Sequence, residues 1–115
     1  MKKIYLLCSN GMSTSMLAAM MQSCANSHNL PIEIVAYPQR ELGSVLKEKS
    51  LPDAILLGPQ VKYLLEETKE NFDYLNIPII MIDQEDYGML NSERVLKKAI
   101  LAMKNAKQNK DMKSI

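Results

Sequence analysis

Four short apolar runs punctuate the chain: Ile4-Tyr5-Leu6-Leu7, Ile32 to Tyr37, Ala54-Ile55-Leu56-Leu57 and Ile79-Ile80-Met81-Ile82. The first, third and fourth have no polar break. That is the pattern of strands covered on both faces, as in a parallel sheet flanked by helices. The second run, Ile32-Glu33-Ile34-Val35-Ala36-Tyr37, carries a charge and suits an edge strand. Between the runs, apolar residues recur at i, i+3, i+4 and i+7, which marks one face of a helix. Leu17, Met20, Met21 and Cys24 form one such stripe. Val61, Leu64, Leu65 and Thr68, extended by Phe72, form another, with Lys62, Glu66, Lys69, Glu70 and Asp73 on the other faces. Leu96, Ala99, Ile100 and Met103 form a third, and Leu42 to Lys49 reads as a shorter helix.

The order is therefore β-α-β-α-β-α-β-α, which predicts a doubly wound α/β domain with helices on both faces of a four-stranded parallel sheet. Right-handed crossovers leave few arrangements. The order 2-1-3-4 puts the charged second strand at an edge. Chain direction then reverses between strands 1 and 3, and ligands of such sheets bind at the carboxyl ends of the strands flanking that switch point.

Punctuation agrees with this division. Pro31, Pro52 and Pro78 precede strands, Pro59 follows Gly58 where strand 3 turns into its helix, and Asn91 or Ser92 is placed to cap the last helix. Residues 1–105 read as a single domain. Residues 106–115, rich in Lys, Asn and Gln, read as a frayed, solvated tail.

Composition narrows the function. A net charge of +1 provides no basic field for nucleic acid, and the low aromatic count, with no Trp, one Phe and five Tyr, removes a stacking platform for single strands. Two cysteines are too few for a disulfide scaffold, and no apolar run reaches a secretory or membrane-spanning length. The chain reads as cytoplasmic, with reduced thiols and no direct membrane insertion. No His/Cys/carboxylate spacing suggests a metal, and nothing calls for a cofactor.

The stretch that carries chemistry is Cys8-Ser9-Asn10-Gly11-Met12-Ser13-Thr14-Ser15. It follows the first strand and leads into the first helix, so Cys8 falls at the carboxyl end of strand 1, where the switch point places a ligand. Gly11 frees the backbone to turn, which lets consecutive N–H groups converge on one anion. The helix N-terminus favours negative charge by ~0.3–1 kcal/mol, and Ser9, Ser13, Thr14 and Ser15 add hydroxyl donors. Such donors stabilise a thiolate nucleophile and equally a phosphoryl group carried on its sulfur.

The segment from Ile4 to Ser15 resembles the start of the enzyme IIB proteins of the lactose, cellobiose and chitobiose branch of the sugar phosphotransferase system. Leu57-Gly58-Pro59-Gln60, Ile82-Asp83 and Tyr87-Gly88 are further matches. The resemblance covers nearly all of the chain before the tail. It implies that Cys8 accepts a phosphoryl group from a phosphohistidine of enzyme IIA and passes it to a sugar bound by the membrane component, enzyme IIC. It also implies that Ser9, Asn10, Gly11, Met12, Ser13, Thr14 and Ser15 form the phosphate-binding loop. The fold of that family is similar to the low-molecular-weight tyrosine phosphatases, which keep an arginine on the loop six residues after the cysteine. Thr14 stands there, and without a guanidinium clamp hydrolysis loses its support.

Plainer readings stand beside these. Cys24 lies on an apolar stripe and reads as core, as do Met16, Met20, Met21 and Met103; Met12, in the loop itself, suits a partner-docking surface. Gly58, Pro59 and Gln60 read either as a strand-to-helix turn or as a border of the ligand loop. Asp83, Glu85 and Asp86 read as a solvated loop or helix lead-in, with Asp83 and Tyr87 as secondary site candidates, and His28 reads as a helix cap. Functions of other classes are a phosphatase-like hydrolase, a non-catalytic anion-binding regulatory domain, and a redox thiol enzyme, which would need a resolving cysteine near Cys8.

Overall fold

A computed structural model describes the backbone of residues 1–8 and 12–113, with side chains except those of residues 12, 13, 73 and 107–113. Nine main elements follow one another: β1 (Lys2–Cys8), α1 (Met12–Ser27), β2 (Ile32–Pro38), α2 (Leu42–Glu48), β3 (Ala54–Leu57), α3 (Leu65–Phe72), β4 (Ile79–Met81), α4 (Gln84–Gly88) and α5 (Ser92–Lys113). The strands form one parallel sheet in the order β2-β1-β3-β4, as the apolar runs predict. Register runs from Lys2 opposite Ile32 to Cys8 opposite Pro38, and from Ile4 opposite Ala54 to Leu7 opposite Leu57. Ile55 to Leu57 pair with Ile79 to Met81. Among the described residues no helix is long and apolar enough to cross a membrane.

Two cores form because successive strand side chains point to opposite faces. Ile4, Leu6, Ala54 and Leu56 pack with Leu17, Ala18, Met21 and Ala25 of α1 and with Val95, Leu96, Ala99 and Met103 of α5. Leu7, Ile55, Leu57 and Ile79 face the other way, against Leu42, Val61 and the partly buried Leu46, Leu64, Leu65 and Phe72. Thus α1 and α5 cover one face, while α2 and α3 cover the other, as a reversal of crossover direction requires. Tyr5 is buried on the sheet, packs edge-on against Tyr37 at 5.1 Å and donates its hydroxyl to the Ser50 carbonyl. Burial, then the neighbouring Tyr37 and Glu33, push its ionisation above the usual range.

The edge position of β2, with Glu33 exposed, and the burial of β1 and β3 agree with the sequence reading. Asn91 caps α5 by accepting the Arg94 N–H at 3.2 Å. His28 caps α1, its Nδ1 donating to the Cys24 carbonyl at 2.9 Å, and Cys24 packs at the margin of the core.

Three expectations fail in detail. Met16 is 57% exposed and Met20 39% exposed, so neither is core. The buried face of α1 is set by Thr14, Leu17, Ala18, Met21 and Ala25, where small alanines let the helix approach the sheet; Leu17 and Met21 of the expected stripe lie on that face, and Met20 falls beside it. Residues Pro59–Leu64 are 3-10 turns, not the start of an α-helix, because the backbone kinks at Val61 (φ −116°, ψ 23°) to bury that side chain. Residues Gln84–Gly88 form a short helix of their own.

Thr68 is buried, and its hydroxyl has no hydrogen-bond partner among the described residues. Replacing an unpaired buried hydroxyl by a methyl of the same shape removes a desolvation cost, so Thr68→Val is expected to raise stability by ~1 kcal/mol. Leu56→Ala, which opens a cavity at a fully buried position, is expected to lower it by ~2–5 kcal/mol. Urea unfolding of both variants checks these signs; a destabilised Thr68→Val would mean the hydroxyl is satisfied in solution.

Candidate functional site

Three strands end side by side at the carboxyl edge of the sheet. Cys8 closes β1 and is 3% exposed. Across from it the Gly58 N–H donates to the Leu7 carbonyl at 2.8 Å, and one strand further the Ile82 N–H donates to the Leu57 carbonyl at 2.8 Å. The switch point lies here, since β1 connects outward through α1 to β2 while β3 connects the other way to β4. Cys8 therefore stands at the place where sheets of this kind bind ligands.

Gly58 fits that position through close approach rather than an unusual turn, because its backbone is ordinary extended chain (φ −67°, ψ 157°). A Cβ added there would lie 3.7 Å from the Cys8 Cβ, 3.4 Å from the Leu7 carbonyl and 2.7 Å from Gln60 Oε1. The Gln60 carboxamide thus folds over Gly58 on the side that faces Cys8. Pro59 opens the following 3-10 turn and needs no N–H at its first position. Pro59, Gln60, Lys62, Met81, Gln84, Tyr87 and Gly88 surround an open groove of about 510 Å³ on this edge.

Four residues after Cys8, α1 begins at Met12, with no acidic residue in its first turn to occupy the positive end. Thr14 in that turn is fully buried, and its Oγ1 lies 3.2 Å from the Tyr87 hydroxyl. Ser15 is exposed in the same turn.

The sequence-predicted site residues are not all gathered. Cys8, Gly58, Pro59, Gln60, Thr14 and Tyr87 converge on the carboxyl edge. Ser9, Asn10 and Gly11 lie outside the described residues, as do the side chains of Met12 and Ser13. Asp83 is directed elsewhere: its exposed carboxylate accepts from Lys98 of α5, and that bond, with the lysine's charge, holds its ionisation below the usual range. The same pairing raises that of Lys98.

Asp86 corrects the reading of Asp83, Glu85 and Asp86 as a solvated cluster. It is 3% exposed and accepts from Lys98 Nζ at 2.9 Å, with Arg94 Nε at 3.5 Å. Burial of a carboxylate is tolerated because two cations of α5 face it. The signal available in the sequence was the matched spacing, two aspartates three apart and two cations four apart on consecutive helical segments. Tyr87 follows Asp86 directly, so the ion pairs that fix Asp86 also fix where Tyr87 meets Thr14.

Comparison with known proteins gives a consistent result. The profile described as "PTS system, Lactose/Cellobiose specific IIB subunit" matches residues 3–98. The oligo-beta-mannoside-specific EIIB component of a PTS system in Bacillus subtilis is 37% identical over 105 residues, covering 91% of this chain and 99% of that one. The galactose-specific EIIB component of Lactococcus lactis subsp. cremoris is 35% identical over 97 residues, covering 83% and 90%. The solution structure of a cellobiose-specific phosphotransferase IIB component from Borrelia burgdorferi superposes with a TM-score of 0.74 at 36% identity, covering 91% of this chain and 94% of that one.

A methyl at position 58 must displace only the flexible end of Gln60, yet it lies against Cys8. Gly58→Ala is expected to cost no more than about 1 kcal/mol of stability and to slow iodoacetamide alkylation of Cys8 several-fold. Alkylation at the wild-type rate would mean that the thiol is reached from another side.

Proposed function

This chain belongs to the lactose/cellobiose-specific IIB family of the phosphotransferase system (PTS), and on that premise we propose that it carries the phosphoryl group on Cys8. A PTS IIB component is a phosphotransferase component and works with the other components of its system. The Cys8 sulfur attacks the phosphorus of a phosphohistidine on enzyme IIA, an S–P bond forms, the N–P bond breaks, and the histidine nitrogen keeps the electron pair. A sugar hydroxyl held by the membrane component, enzyme IIC, then attacks the same phosphorus. The S–P bond breaks, the thiolate returns, and the hydroxyl proton passes to solvent or to a base on the partner. Residues 1–105 act as one transfer domain on the cytoplasmic side, with the segment from Ser9 to Ser15 cradling the phosphoryl oxygens.

The observation that carries this reading is the position of Cys8. The thiol ends the central strand β1 at the switch point, four residues before the start of α1, with the side-chain-free Gly58 across from it. On this reading, backbone N–H groups of the loop and the positive end of α1 stabilise an anion formed on that sulfur.

A hydrolytic role has less support. Water attack on the thiophosphate needs a cation that clamps the equatorial oxygens. Thr14, at the position where a guanidinium would serve, is a short hydroxyl side chain sealed in the interior and engaged by Tyr87. A carrier gains from that arrangement, because a thiophosphate that resists water reaches its acceptor.

The test is intact-mass measurement after incubation with phosphoenolpyruvate, the general PTS proteins and a cognate enzyme IIA. The expected result is a gain of one phosphoryl group by the wild type and none by Cys8→Ser, with equal unfolding midpoints for the two. Phosphorylation of Cys8→Ser, or release of inorganic phosphate without a sugar acceptor as fast as phosphoryl uptake, would overturn the proposal.

A further inference from the structure

Thr14, in the first turn of α1, meets the half-buried Tyr87 of α4 close to the end of β1. Thr14 is fully buried, in the first turn of the helix that opens beside Cys8, and its Oγ1 is 3.2 Å from the Tyr87 hydroxyl, 73 residues away in sequence. Tyr87 comes from the short helix α4, which is held from behind. The preceding residue, Asp86, is buried against Lys98 at 2.9 Å and Arg94 at 3.5 Å, both on α5. Asp83, at the entrance to α4, pairs with the same lysine, and the Asp86 carbonyl accepts the Asn91 N–H at 2.9 Å. In turn α5 packs on α1 through the shared core of Leu17, Met21, Val95 and Ala99. A closed circuit therefore runs from α1 through Thr14 and Tyr87 to α4, from α4 through Asp86 to α5, and from α5 back to α1.

Such a circuit does more than satisfy one hydroxyl. Only three residues separate the Cys8 backbone from Met12, so the placement of the first turn of α1 sets where its N–H groups point relative to the sulfur. Phosphoryl transfer leaves the protein little to do except position groups and stabilise charge, and a displacement of ~1 Å costs about a hundredfold in rate. We propose that Tyr87 is a positioning residue for phosphoryl transfer: its hydroxyl holds Thr14 and thereby fixes the N-terminal turn of α1 against the end of β1.

Because this rests on the phosphocysteine reading, the experiment carries two readouts. In the first, phosphorylated enzyme IIA is mixed with wild type, Tyr87→Phe, Thr14→Val and the double variant in single-turnover reactions, and phosphoprotein formation is timed across donor concentrations. Each single substitution is expected to lower the limiting rate about ten- to hundredfold while the half-saturating donor concentration stays unchanged. The double variant is expected to be no slower than the slower single one, since both remove the same hydrogen bond. Thr14→Ser, which keeps the hydroxyl, is expected to retain most of the rate. A Tyr87→Phe protein that transfers at the wild-type rate, or losses that multiply in the double variant, overturn the proposal.

The second readout uses the unphosphorylated protein. Met16 and Leu17 donate the amide protons that close the first turn of an α-helix starting at Met12. Their hydrogen exchange is expected to speed up at least several-fold in Tyr87→Phe while amides of β1 and β3 keep the wild-type rate. Unchanged exchange at Met16 and Leu17 overturns the proposal. A wild-type protein that takes up no phosphoryl group refutes the phosphocysteine reading instead, and the exchange rates then decide the role of Tyr87 alone.

Discussion

Strand β1 is hydrogen-bonded on both edges and buried on both faces, and the placement of the other elements follows from that. Its side chains from Ile4 to Cys8 are all buried, which demands a helical layer above and below. A parallel neighbour on each edge demands crossovers that leave in opposite directions. That reversal opens the crevice at the carboxyl end, and the last residue of the strand is the thiol. The same burial that stabilises the sheet also holds the backbone at Cys8, the proposed nucleophile.

Around that fixed point the supporting parts divide into two kinds. Close approach is provided by Gly58, whose missing side chain lets β3 and the 3-10 turn after it run past Cys8. Alignment is provided by polar contacts at greater range, from Thr14 to Tyr87 and from Asp86 to Lys98 and Arg94. The buried carboxylate is a costly group to desolvate, and two cations offset that cost while tying α4 to α5. Functional geometry at one end of β1 thus draws on ion pairs that never touch the thiol.

Strands and sheet order were legible in the sequence because short apolar runs alternate with helical stripes, although the unbroken fourth run, read as covered on both faces, is the edge strand β4 and exposes Met81. The charge on Glu33 was enough to place β2 at the edge. The place of Cys8 at the end of β1 was legible for the same reason, whereas Gly58 read equally well as a plain strand-to-helix turn and its close approach to Cys8 appears only in the folded chain. Long side chains misled in part: Leu17 and Met21 are core as expected, but Met16 and Met20 also looked like core and are exposed, while the small Ala18 and Ala25 are buried. The tyrosine-threonine contact joins positions 73 apart and leaves no periodic trace, so only the folded chain reveals it. Asp86 looked solvated because a carboxylate's burial depends on cations brought from another helix. The sugar is a different matter. Relatives of similar identity are named for oligo-beta-mannoside, galactose and cellobiose, so overall similarity does not identify the substrate of this chain.

The chemical bond that holds the phosphoryl group is the most direct test of why Cys8 stands where it does. Phosphorus NMR of the phosphorylated protein, before and after iodine treatment, distinguishes sulfur from nitrogen, and His28, capping the far end of α1, is the single histidine in the chain. One S–P resonance that iodine removes, with release of inorganic phosphate, is the expected result. An N–P resonance that survives iodine and disappears in His28→Gln would place the phosphoryl group at the opposite end of the helix and contradict the role assigned to Cys8.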